Sequence, residues 1–156
     1  MSVESVRNFF IEKGLKDPVF ELKESGATVE LAAQTIGVQP DAIAKTLALH
    51  AKDKDILIVM RGSLRIDNKK YKSVFNTKAK MFSYDEVKEI TGHPVGGVCP
   101  FGLKNQIAIY LDVSIKDNDF IYPAAGSQYH ALKISPEEML KLTNAEWVDV
   151  CEYKTL

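Results

Sequence analysis

Apolar residues near the start of the chain fall at Val3, Val6 and Phe10, with Phe9 beside them. This is the three-to-four spacing of a helix that buries one face. Ser2 stands as its cap and Gly14 as its stop. Pro18 to Leu22 reads as a short strand. Thr28 starts a second helix, whose Val29, Ala32, Ala33 and Ile36 sit at i, i+3, i+4 and i+7 before Gly37 closes it. Residues 38–41 turn the chain into AIAKTLALH, a stretch that fits a helical turn or a strand equally well. A Lys-Asp-Lys-Asp hairpin-type loop then leads to Ile56–Met60. That run of five apolar residues bounded by charge has the signature of a strand buried on both faces.

In the second half, residues 64–75 predict a helix with Ile66, Lys70 and Val74 on one stripe. Ser83 caps the next helix, with Tyr84, Val87 and Ile90 facing inward and Gly92 at its end. Ile107, Ile109, Leu111 and Val113 alternate as a half-buried strand does. Residues 120–122 and 129–134 predict two more strands, joined through Pro-Ala-Ala-Gly-Ser. Ser135, Pro136 and Glu138 form a capping-box pattern with proline at the first helical position, ahead of Met139, Leu140 and Leu142. Residues 147–150 predict a last strand. Strands and helices mix without strict alternation, so a mixed sheet with flanking helices is expected.

Composition narrows this picture modestly. A length of 156 residues, 46% hydrophobic and 26% charged, fits one domain spanning 1–156 with a core that needs no staples. The net charge of −1 announces neither a nucleic-acid nor a membrane partner. Cys99 and Cys151 lie far apart without metal-binding spacing, which argues against a zinc site or a disulfide framework and fits a reducing cytosol. The opening MSVESVRNFF lacks the basic and apolar regions of a signal peptide, and no apolar run approaches membrane-spanning length.

The most constrained stretch is residues 92–102, GHPVGGVCPFG, which holds four of the nine glycines and two prolines. Such a loop is rigid, with an approachable main chain, and serves either as a tight corner or as a floor for a ligand. Lys45 stands alone in an uncharged stretch, either snorkelling to the surface or aimed at an anion. Between residues 61 and 80, seven cations (Arg61, Arg65, Lys69, Lys70, Lys72, Lys78, Lys80) accompany one acid, Asp67. They form a solvated helix face or a phosphate-attracting patch. Tyr71 and Phe75 among them suit base stacking or inward anchoring. His50, His93 and His130 have no metal-like spacing, and His93 gains interest only from its place in the loop. Cys99 as a nucleophile needs a base, and His93 is the one candidate nearby; otherwise it is a small apolar filler. No serine-elbow, zinc-protease or phosphate-loop motif is present, so catalysis would rest on positioned backbone N–H groups and a bound water.

Taken in order, AIAKTLALH around Lys45, GGVCPFG at 96–102 and the ending AAGSQYHALKISPEEMLKLTNAEWVDV resemble the YbaK/EbsC family of prolyl-tRNA synthetase editing domains and their free-standing relatives. The resemblance implies an α/β fold of the α+β type, with a mixed, mostly antiparallel sheet or barrel surrounded by helices. It implies a deacylase that hydrolyses the ester of a mischarged tRNA, Ala- or Cys-tRNA(Pro), without a cofactor or metal. The resemblance implies a second sieve whose pocket would admit residues smaller than the correct one and exclude proline. Lys45, Gly96 and Gly97 would carry catalysis. His93, Val98, Cys99, Pro100, Gly102, Gly126 and Ser127 would line the aminoacyl pocket, and Cys99 would tune its choice. Arg61, Arg65, Lys69, Lys70 and Lys72 would meet tRNA. Partners would be tRNA and prolyl-tRNA synthetase in the cytoplasm. A non-catalytic tRNA- or synthetase-binding module of the same fold is the alternative.

Overall fold

Helix α1 (Ser2–Glu12) opens the described part of the chain, residues 2–153 of a computed structural model, and buries Val6 and Phe10 as its spacing predicts. Ser2 belongs to the helix itself. Strand β1 (Phe20–Glu21) is followed by α2 (Val29–Ile36), where the Thr28 side chain accepts from the Leu31 N–H and Gly37 closes the end in a left-handed conformation. The ambiguous AIAKTLALH is resolved as a strand, β2 (Ile43–His50), entered through a 3-10 turn at Pro40–Ala42. It forms a hairpin with β3 (Asp55–Arg61), whose residues 56–60 are fully buried.

The 64–75 segment differs from its expectation. Arg65–Ile66 is a strand, β4, and the helix α3 (Asn68–Phe75) begins only after Asp67, whose carboxylate caps it by accepting from the Lys69 and Lys70 amides. The buried side chain of α3 is Tyr71, and Val74 is exposed, because Ile66 lies in β4 outside the helix and Tyr71 and Phe75 supply the face that packs on the sheet. In α4 (Tyr84–Glu86), Ser83 and Glu86 form a reciprocal capping box, and a π-turn over Val87–Thr91 carries the chain to Gly92. Tyr84, expected inside, is 77% exposed, whereas Val87 and Ile90 pack against Phe82, Leu57 and Ile107 as expected.

The remaining elements are β5 (Ala108–Asp112), β6 (Tyr122–Pro123), β7 (His130–Ala131), α5 (Pro136–Thr143), β8 (Glu146–Val148) and β9 (Cys151–Glu152). Ser135 caps α5 by accepting from the Glu138 amide, with Pro136 as the first helical residue. The central sheet has the order β6-β2-β3-β5-β8. Its long β2–β3 ladder is antiparallel, whereas β6–β2, β3–β5 and β5–β8 are parallel. The two small sheets, β1–β7 and β4–β9, are antiparallel. The parallel junctions follow from the long connections between those strands, which hairpins cannot make.

One face of the sheet is covered by α1, α5 and the glycine loop, around Phe10, Phe101, Leu111, Ile121, Leu132 and Met139. The other is covered by α3, around Leu49, Ile56, Ile58, Tyr71 and Val150. Among the described residues no helix is long and apolar enough to cross a membrane.

Candidate active site

The outer edge of β2 is paired at both ends and open between them. β6 covers Ile43 and Ala44, and Met81 bridges to Leu49 further along. The gap opens into a cavity of about 250 Å³. Its walls include β2 (Ala44, Thr46, Ala48), α2 (Val29, Ala32, Ile36), Met81 and Phe82, the glycine loop (Val95, Gly96, Val98), and the 122–131 segment (Tyr122, Ala124, Ser127, His130). Small residues dominate the β2 wall, and Met81 and Val95, both about half exposed, stand at the surface.

Lys45 also borders this cavity. Neighbouring strand residues point to opposite faces, so Lys45 and Thr46 diverge. The Lys45 ammonium donates to the Leu64 carbonyl at 2.5 Å. Partial burial pushes its pKa down, and nearby Arg65 adds to that. Thr46 has the opposite problem: its Oγ1 is buried with no hydrogen-bond partner.

The glycine loop is seated by Phe101, which packs against the rings of Phe9 and Phe10 at centroid distances of 5.4 and 4.9 Å. Gly97 lies against the 126–128 turn. A Cβ there would fall 2.4 Å from the Ser127 nitrogen, and the Gly126 N–H donates to the Gly97 carbonyl at 2.9 Å. Gly96 instead holds a left-handed φ of 92° and faces the cavity. The two glycines thus have different reasons: Gly97 for close approach, Gly96 for its torsion.

On that turn the Tyr129 N–H donates to Ser127 Oγ at 2.9 Å, and Ser127 Oγ lies 2.7 Å from His130 Nδ1. An amide can only donate, so Ser127 accepts there and is free to give its own proton to Nδ1. That arrangement places the imidazole proton on Nε2, 3.8 Å from Glu21. Ser127 Oγ keeps one lone pair for a further donor.

Of the residues expected at the pocket, Lys45, Gly96, Val98 and Ser127 come together around the cavity. Gly97 and Gly126 form the packed layer beneath. Pro100 and Gly102 turn to a separate cleft beside α1, because Phe101 plunges into the core between the loop's two ends. His93 and Cys99 are buried behind the loop. His93 Nε2 donates to the Phe101 carbonyl at 2.7 Å, and Nδ1 accepts from Ser2 Oγ at 2.5 Å. Both nitrogens are occupied, and burial lowers the ring's pKa. Cys99 lies 3.7 Å from Nε2, but that nitrogen carries a proton committed elsewhere, and burial pushes the thiol up to about 12. The Cys99–His93 pair is therefore structural. Thr46 and His130 were missed by pattern reading. The only signal for them was adjacency to Lys45 and Ser127, since the open edge of β2 is set by distant pairings.

The basic stretch does not act as one group. Arg61 is mostly buried, with its guanidinium 3.9 Å from Asp117. Lys70 is bound to Asp149 and to the Cys151 carbonyl, each at 3.0 Å. Arg65, Lys69 and Lys72 are exposed. None of the five lines the cavity.

A family model described as "Aminoacyl-tRNA editing domain" matches residues 23–142, a span that contains β2, the glycine loop and the Ser127–His130 turn. The chain belongs to the aminoacyl-tRNA editing domain family. This editing domain is 46% identical to the uncharacterised protein YwhH of Bacillus subtilis strain 168, over 97% of its own length and 98% of that protein's. It is 28% identical to EbsC of Enterococcus faecalis, named as a candidate Cys-tRNA(Pro)/Cys-tRNA(Cys) deacylase, over 86% and 84% of the two chains. A crystal structure described as a candidate trans-editing enzyme for prolyl tRNA synthetase superposes with a TM-score of 0.88 at 28% identity, covering 97% of each chain.

Proposed function

We propose that this editing domain is a free-standing trans-editing deacylase that hydrolyses the ester of mischarged tRNA(Pro), carrying Ala or Cys, in the cytoplasm. The observation that carries the reading is the small cavity at the open edge of β2, where main-chain groups, Ser127 and His130 converge beside Gly96. An aminoacyl ester is already activated, so its hydrolysis needs a placed water and donors for the developing oxyanion. Water adds to the ester carbonyl, the carbon–oxygen bond to the terminal ribose breaks, and a free amino acid and a tRNA hydroxyl leave.

In this reading the water donates to the remaining lone pair of Ser127 Oγ and is joined through that hydroxyl to His130 Nδ1, which takes the proton. The main-chain N–H of Gly96 orients the carbonyl, while the Gly97 N–H, donated to the Pro94 carbonyl at 2.9 Å, holds the loop's shape. Val98, Ala44 and Ala48 keep the amino-acid end small, so a residue smaller than proline enters and proline does not. Lys45 holds Leu64, and with it the entry to β4, so it acts by positioning the edge of the site. The chemistry calls for no cofactor. Exposed Arg65, Lys69 and Lys72, with Lys78 and Lys80 further along, are available to the tRNA phosphates, and prolyl-tRNA synthetase is the expected partner.

The test is a deacylation panel of tRNAs charged with Ala, Cys, Ser and Pro, with free amino-acid esters as controls. Release of Ala or Cys from tRNA(Pro), with Pro-tRNA(Pro) spared, supports the reading. Binding of tRNA with no release, or hydrolysis of free esters without tRNA dependence, overturns it.

A further inference from the structure

Thr46 lines the cavity, and its N–H, C=O and side-chain hydroxyl have no protein partner among the described residues. The direction of its main-chain groups follows from its neighbours. The Ile43 carbonyl accepts from Gly62 across the hairpin, whereas the Ala48 carbonyl accepts from Phe82 and the His50 N–H donates to Lys80 on the outer side. Hydrogen-bonding direction alternates along an antiparallel strand, so Thr46, in step with Ala48 and His50, turns its N–H and C=O outward. Pairing with β6 has ended at Ala44, and the Met81 bridge begins only at Leu49. Thr46 Oγ1 is buried and unpaired, and the residue lines the cavity. A buried hydroxyl left without a partner is unfavourable in the empty protein, and a ligand that supplies one removes that cost.

We infer that the aminoacyl group docks on Thr46 as a one-residue strand, completing the sheet edge between β6 and Met81. In that pairing the substrate's α-ammonium donates to the Thr46 carbonyl, and the Thr46 N–H donates to the ester carbonyl, as in a hydrogen-bonded antiparallel pair. A χ1 step exchanges the Thr46 methyl for its hydroxyl at the cavity wall and adds a second acceptor for the ammonium. The site therefore recognises an unblocked α-amino group as well as a small side chain. This inference rests on the deacylase reading for the identity of the ligand, but it concerns binding and is tested without turnover.

The probes are two non-hydrolysable amides of 3′-amino-3′-deoxyadenosine, one carrying alanine and the other propionate, which lacks the amine. Wild-type protein is expected to bind the alanyl amide roughly 10-fold or more tightly than the propionyl amide, the scale of a hydrogen bond to a charged group. Thr46→Val, which keeps the side chain's shape, is expected to weaken alanyl binding by about 10-fold and propionyl binding by less than about 2-fold. Thr46→Ser is expected to restore alanyl binding. Equal wild-type affinity for the two amides, equal loss on both in Thr46→Val, or no wild-type binding of either overturns the inference. Alanyl-selective binding by a protein that deacylates no tRNA supports it while overturning the deacylase reading.

Discussion

Gly97 and Ser127 meet backbone to backbone: a Cβ added to Gly97 would lie 2.4 Å from the Ser127 nitrogen and 2.5 Å from the Gly126 carbonyl carbon. Neither atom can rotate out of the way, so the glycine loop and the Ser127–His130 turn are held at a spacing that only glycine permits. A substitution at Gly97 moves the turn that carries Ser127 and His130. Gly97→Ala is expected to cost about 1–3 kcal/mol of stability, the usual scale of overpacking. It should also lower deacylation roughly 100-fold or more, since misplacement of reacting groups by an ångström costs that much. Thermal melts read beside single-turnover rates check both numbers. Gly97→Ala with wild-type rates would return the loop to the role of a structural corner.

Ser127 and His130 are predicted to act as a unit. Ser127→Ala and His130→Ala each should lower kcat by roughly 100-fold, within the range for losing acid–base assistance. The double variant should be little worse than either single one, as groups in one relay are not additive. Additive losses measured in the same assay would show that the two side chains act separately.

Cys99 gives a contrasting expectation. Its thiol is fully buried behind the loop and held up to about 12 by that burial. Native protein should therefore resist thiol reagents at Cys99 at neutral pH, with reactivity appearing on unfolding. Cys99→Ser should leave the ranking of aminoacyl substrates unchanged while changing the melting temperature. A changed ranking would mean that the thiol reaches the ligand.

His50 joins the hairpin end to α4: Nδ1 lies 2.7 Å from Asp55 and Nε2 lies 3.1 Å from Glu86, while the ring stacks on Phe82 at 4.5 Å. The Glu86 and Asp55 carboxylates raise the His50 pKa above its ordinary 6.5. The Ser83 amide, and then His50, hold Glu86 down to about 2 from an ordinary 4.5. A raised histidine stabilises the fold fully below 6.5 and loses that contribution as pH climbs through its folded value. A depressed carboxylate stabilises above 4.5 and loses it as pH falls toward 2. Both contributions are complete between pH 4.5 and 6.5. Wild type should exceed His50→Gln in melting temperature most in that window, with the gap narrowing above it. A gap independent of pH would remove the ionic account.

Much of the local structure was legible because it is local. Thr28 with Gly37, and Ser83 with Gly92, mark helix ends through hydrogen bonds spanning a few residues, and both are found. The helix expected at 64–75 starts at Asn68 because Asp67 caps it, and its inner face is Tyr71 with Phe75, which pack on the sheet, in place of the stripe of Ile66, Lys70 and Val74. The loop at 92–102 was legible as a special segment, but not its division. Phe101 enters the core and sends Pro100 and Gly102 to a different surface from Gly96. Thr46 stayed hidden because an unpaired strand edge depends on where β6 and Met81 stop, information carried by residues far away in the chain.

The most direct measurement is single-turnover release of amino acid from Ala-tRNA(Pro), Cys-tRNA(Pro) and Pro-tRNA(Pro), each compared with its spontaneous rate. The account predicts strong acceleration for Ala or Cys and none for Pro, with the acceleration lost in Ser127→Ala. Rates equal to the spontaneous ones for every mischarged tRNA, or proline released as fast as alanine, would contradict it.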